Sequence, residues 1–139
     1  MSGISPEHWN PDSVAAPIGK YSHLTRVPAG SELLFIAGQV GNDAAGAIPE
    51  DAYGQTLLVL GNVEALLDSV GLTPVHLIRL LSFVAGTDAL PGYYAARDEV
   101  YARWFPTAAY PGHSLAVVAA LAQPALLVEL EGWAAIPAR

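Results

Sequence analysis

The stretch from Tyr110 to Trp133, YPGHSLAVVAALAQPALLVELEGW, constrains this chain more than any other. It reads as two apolar β-runs separated by a break at Gln123-Pro124. Side chains alternate between the faces of a strand, so Leu127, Glu129 and Glu131 point one way in the second run while Leu126, Val128 and Leu130 point the other. Two carboxylates therefore share one face. In the first run His113, Leu115 and Val117 share a face, and Pro111-Gly112 just ahead of them lets a backbone approach closely. A polar group on each strand, set among aliphatic residues, is the pattern of a small site at the strand ends.

Upstream, residues 1–16 are rich in proline and polar residues and are expected to form an irregular arm, with Trp9 pinning it. Lys20–Val27 alternates weakly and turns through Pro28-Ala29-Gly30 into Glu32–Val40. These two runs read as a hairpin whose second strand, apolar on both faces, is central. Gly38 within it marks a place of close approach. After a loop at Gly41–Pro49, in which Asn42 and Asp43 read as turn residues, Asp51 is the expected N-cap of a helix running to about Val70. Leu57, Leu60, Val63, Leu66 and Leu67 form its inward stripe, and Gly71 ends it. His76–Ala85 reads as a strand. Asp88 is the expected cap of a second helix, Leu90–Phe105, on which Tyr94, Arg97, Tyr101 and Trp104 fall at helical spacing. Arg97 and Arg103 are expected to be solvated, or paired with Asp98 and Glu99. The order ββ, helix, strand, helix, ββ predicts an α+β domain over residues 17–139, a mixed sheet with both helices packed on one face.

Composition narrows the function classes. A length of 139 residues suits one domain. With 53% hydrophobic and only 14% charged residues, the chain holds more apolar surface than a monomer of its size requires, and burial against other subunits is the simplest outlet. No apolar run reaches the ~20 residues of a membrane span. The first twenty residues lack the apolar core of a signal peptide, so a cytoplasmic protein is expected. A net charge of −7 and six scattered basic residues argue against nucleic acid as a partner. Cysteine is absent, which removes disulfides, thiolate metal sites and a thiol nucleophile. His8, His23, His76 and His113 lie far apart, without metal-ligand spacing, so no metal is expected.

Six segments in this order, PIGKYSH (17–23), LLFIAGQV (33–40), NVEALLDSVG (62–71), EVYARWFP (99–106), YPGHSLAVVAAL (110–121) and LVELEGWA (127–134), resemble the Rid, or YjgF-type, reactive-intermediate deaminases. The resemblance implies a chorismate-mutase-like α+β fold assembled as a homotrimer, with a ligand cleft between adjacent subunits. It also implies hydrolysis of a small enamine or imine to a carbonyl compound and ammonia, without a cofactor.

Residue by residue, Tyr21 matches the tyrosine that lines the cleft. Ala37 and Gly38 match the backbone that approaches the substrate, and Glu129 matches the glutamate that activates the attacking water. His113 departs from the pattern. It stands, in Pro111-Gly112-His113-Ser114, where the family has an arginine that pairs with a substrate carboxylate. Histidine is smaller than arginine and charged only in part near neutral pH. It can still bind an anion if a nearby acid such as Glu129 keeps it protonated, or act neutral as a general acid or base. Leu115, next on that face, makes the pocket more apolar, and a substrate outside the family's usual class is expected. The alternative is a non-catalytic trimeric binder of small molecules that kept the cleft. Lys20, beside Tyr21, is the outside candidate for a replacement cation.

Overall fold

The structure, a computed structural model, describes residues 4–139. Two short strands, β1 (Glu7–Trp9) and β2 (Leu24–Arg26), pair antiparallel with each other. The main sheet holds β3 (Glu32–Val40), β4 (Leu77–Ala85), β5 (Gly112–Val118) and β6 (Val128–Ile136) in the order β3-β6-β4-β5. β6 runs antiparallel to both β3 and β4, whereas β4 and β5 are parallel. Helices α1 (Ala52–Ser69) and α2 (Leu90–Trp104) pack against each other on one face. Parallel neighbours need a crossover, and α2 supplies it between β4 and β5.

Local chemistry explains the helix ends. Asp51, in an extended conformation, accepts the Gly54 amide at 2.7 Å and caps α1. Gly71, at φ +75°, stops it, with the Leu72 amide reaching back to the Leu67 carbonyl at 2.9 Å. The buried stripe is Ala52, Gln55, Thr56, Val59, Leu60, Val63 and Leu67. Leu66, expected inside, is exposed, because the face toward the sheet is set by the Gln55–Val59–Val63 line rather than by leucine content. Nor does Asp88 cap α2. It lies within a 3₁₀ turn, Thr87–Ala89, that runs directly into the helix, so the first turn needs no side-chain cap.

Two further expectations are corrected. The arm is not wholly irregular, since residues 7–9 form β1; residues 1–3 lie outside the described residues. The hairpin of Lys20–Val27 with Glu32–Val40 does not form: β2 pairs with β1, and β3 pairs with β6. The first run is too polar for the main sheet, whereas β6 offers β3 a strand whose Val128, Leu130 and Ala134 are fully buried under the helices. β3 is also an edge strand rather than a central one. Its second apolar face carries Leu33 and Phe35, which are 62% and 49% exposed on the side of the sheet away from the helices.

The core between sheet and helices contains Ile36, Val59, Leu60, Val63, Leu67, Leu77, Leu80, Val84, Tyr93, Val128 and Leu130. Among the polar side chains buried with it, Gln55 makes the longest-range bonds. Gln55 is fully buried; its amide nitrogen donates to the Pro49 and Ala125 carbonyls at 2.9 and 2.8 Å, and its oxygen accepts the Leu127 amide at 2.8 Å. A single residue of α1 thus fixes both the loop before the helix and the start of β6.

Candidate functional site

The start of β5 is held by its neighbours on both sides. Residues 112–118 follow β4 in parallel register from Arg79↔Gly112 to Ala85↔Val118. The Pro111 carbonyl accepts the Ser22 amide at 3.3 Å, which brings the segment carrying Tyr21 against the strand. An open pocket of about 420 Å³ results, lined by Ile18, Lys20, Tyr21, Tyr94, Arg97, His113 and Leu115. A second pocket of about 350 Å³ shares Tyr21 and His113 and continues past Thr25, Arg79 and Ser114.

His113 is anchored from behind. Its Nε2 lies 2.9 Å from the Ser82 hydroxyl and 3.2 Å from the Tyr93 hydroxyl, and those two hydroxyls are 2.7 Å apart. Burial, with Arg97 and Arg79 adding their positive charge, pushes the imidazole down to about 4. Both effects oppose the protonated form considered above and favour a neutral imidazole bonded to two hydroxyls. Burial also raises the Tyr93 phenol, which stays protonated.

Arg97 pairs with Asp98, as expected, but it is not solvated. It is only 8% exposed and lines the Tyr21–His113 pocket. Its Nε and Nη2 both donate to Asp98 Oδ1, at 3.1 and 2.9 Å, and its guanidinium carbon stands 4.9 Å from the Tyr94 ring centre. Lys20 Nζ approaches the same Asp98 oxygen at 3.4 Å. Arg103 pairs with Glu64 at 2.7 Å, not with Glu99. The signal available beforehand was an arginine spaced i, i+3 and i+4 from tyrosines, on the helix face that carries the buried Tyr93, Val100 and Tyr101.

The other half of the expected site is elsewhere. Glu129 is paired in register with Phe83 and Val40, on the face of β6 opposite to Val128 and Leu130. It therefore lies on the free face of the sheet, while His113, bonded to Ser82 beneath α2, lies on the helix face. The register of β3 against β6 slips between Ile36 and Gln39, so Ala37 and Gly38 form a bulge beside Glu129. A Cβ at Gly38 would sit 2.9 Å from Glu129 Oε2. Within one chain, Tyr21, His113 and Leu115 come together, and Ala37, Gly38 and Glu129 come together, but the two groups do not meet. Among the described residues, no three His, Asp or Glu side chains gather as metal ligands, and no helix is long and apolar enough to cross a membrane.

The family model described as Endoribonuclease L-PSP matches residues 12–136. The chain belongs to this family, which includes the YjgF, Rid and RutC proteins. A RutC family protein of Aquifex aeolicus is 29% identical over 90 residues, 64% of this chain and 66% of that one. Among solved structures, the conserved Rid family protein YyfB of Yersinia pestis, of unknown function, superposes with a TM-score of 0.83 at 29% identity, over 96% of this chain and 100% of that one. TdcF of E. coli with bound serine gives a TM-score of 0.68 at 28% identity, over 85% and 89% of the two chains. The two-helix, mixed-sheet architecture is that of the YjgF-type proteins. Within this Rid-type fold, a buried arginine on α2, Arg97, lines the pocket of Tyr21 and His113.

Proposed function

We propose that the protein hydrolyses a reactive enamine or imine to a carbonyl compound and ammonia, on a substrate outside the family's usual class. Membership of the Rid-containing family supports this reading, as does the pocket around Tyr21, which suits a small molecule. The observation that carries it is Glu129, a partly exposed carboxylate beside a backbone bulge that forms no ion pair among the described residues.

The reaction is C=NH plus water giving C=O plus NH₃. Glu129 accepts a proton as water adds to the imine carbon, forming a carbinolamine. The proton then passes to nitrogen, ammonia departs, and the C–O bond becomes a carbonyl. Carbon keeps its oxidation state, so proton transfer and positioning are the chemistry required. Because His113 and Glu129 lie on opposite faces of one sheet, the complete site requires Glu129 of one subunit facing the Tyr21–His113 pocket of another, in a homotrimer. Neutral His113, its Nε2 held by Ser82 and Tyr93, keeps Nδ1 for the pocket, where it can exchange a hydrogen bond with the substrate nitrogen.

Imines generated in situ by an amino-acid oxidase from acidic, aliphatic and aromatic amino acids test the proposal. The wild type should accelerate the decay of at least one imine, and Glu129→Gln should reduce that acceleration by about a hundredfold or more. No acceleration across the panel, or full activity in Glu129→Gln, rejects it. A second reading, a binder without turnover, is favoured by the inward bonding of His113 Nε2; retention of a ligand by an inert wild type would select it.

A further inference from the structure

Three of the chain's six basic residues, scattered in sequence at positions 20, 79 and 97, are gathered by the fold around His113. Lys20 and Arg97 line the larger pocket, and Arg79 lines the adjoining one. Against them, Asp98 is the acid paired with Lys20 and Arg97, and Arg79 forms no ion pair among the described residues. The chain as a whole carries −7, so a local excess of cations runs against its overall charge. A buried guanidinium requires an anionic partner, and one carboxylate shared between two cations leaves positive charge unmatched at the pocket wall.

We propose that Arg97, assisted by Lys20, is the anion anchor of this pocket, so that the acidic group of the substrate docks against α2 rather than against β5. The inference rests on the reading of this pocket as the substrate site. Asp98 acts as a positioning residue: by holding Nε and Nη2 through one oxygen it fixes the plane of the guanidinium while Nη1 stays clear of it. Tyr93, Tyr94 and Tyr101, with ring centres 5.9, 4.9 and 5.7 Å from the guanidinium carbon, restrict its movement further. Neutral His113 adds hydrogen bonding without adding charge. Tyr21, Tyr94, Leu115 and Ile18 surround the remaining volume with apolar surface. The ligand class is therefore an organic carboxylate whose flat or aliphatic body, rather than its head group, sets it apart from the family's usual substrates. The apolar character expected from Leu115 applies to that body and not to the head group.

Benzoate and its neutral isostere benzamide are suitable probes, with binding measured by calorimetry and by saturation-transfer NMR, independently of turnover. Benzoate should bind the wild type roughly tenfold or more tightly than benzamide. Lys20→Gln should weaken benzoate several-fold, Arg97→Met should abolish the preference for benzoate over benzamide, and Arg97→Lys should restore part of it. If Arg97→Met does not fold, the exposed Lys20→Gln variant and the salt dependence of benzoate binding decide the matter. No benzoate binding, equal binding of the two probes, or a preference that survives both neutralising variants overturns the anchor. Imine hydrolysis without benzoate preference would sink only the anchor; benzoate preference without hydrolysis of any imine would sink only the hydrolase.

Discussion

Gly38 and Glu129 are fitted to each other across the β3–β6 ladder: any side chain at 38 would begin 2.9 Å from the Glu129 carboxylate oxygen and 3.2 Å from its Cγ. Gly38→Ala must therefore displace the carboxylate, the flexible partner, and should leave the fold intact. We expect a melting temperature close to that of the wild type and a fall of roughly tenfold or more in imine hydrolysis, because displacing a proton acceptor by a fraction of an ångström is costly to turnover. Full activity in Gly38→Ala would mean that the position of Glu129 is not critical.

His113 ties stability to acid. The unfolded chain binds a proton at an ordinary imidazole near 6.5, whereas the fold resists protonation until about 4. Stability is thus complete above pH 6.5 and is lost progressively as pH falls from about 6.5 through about 4. At about 1.4 kcal/mol per unit the loss approaches 3 kcal/mol, reduced by screening at the pocket-facing edge of the ring. Denaturant unfolding of wild type and His113→Gln, each at about pH 7 and about pH 4.5, should show a smaller acid loss in the variant. Equal losses would place the ring in water.

Replacing Gln55 should destabilise the protein more than its polar character suggests. Gln55→Leu keeps the volume but strips partners from the Pro49 and Ala125 carbonyls and from the Leu127 amide. With each buried unsatisfied group costing about 1–3 kcal/mol and some relief from water at the loop, a net loss of about 3 kcal/mol is expected in urea unfolding. A neutral substitution would show that the three backbone groups are already hydrated.

Phe35 and Trp133 pack with ring centres 4.9 Å apart and planes tilted by 45° on the sheet face that the helices leave uncovered. If a homotrimer closes over that face, Phe35→Glu should shift the sedimentation mass toward the monomer and remove imine hydrolysis together with it. A wild type that sediments as a monomer would contradict both the assembly and the shared site.

The parts of this molecule legible in the sequence are those written in local signals. Asp51 and Gly71 bracket α1, and the alternation of Val128 to Leu130 gives β6 its two faces. The partners of the strands were not legible, because nothing local in Glu32–Val40 distinguishes pairing with β2 from pairing with β6. His113 was legible as a departure, yet its neutrality depends on Ser82, Tyr93, Arg79 and Arg97, which come from two other elements. Arg97 was hidden for a related reason. An arginine next to an aspartate reads as a solvated surface pair until the tertiary fold buries the helix face that carries it.

The place of β6 between β3 and β4 also sets an order of events during synthesis. β3 and β4 both precede their common partner in the chain, and in the finished sheet they are not neighbours. Until β6 has been made the apolar side chains of β3 lack their native ladder, a state open to strand exchange between nascent chains. The insertion of β6 therefore acts as the closing step that ends this vulnerability, and changes that slow it should increase aggregation more than they lower the equilibrium stability of the finished protein.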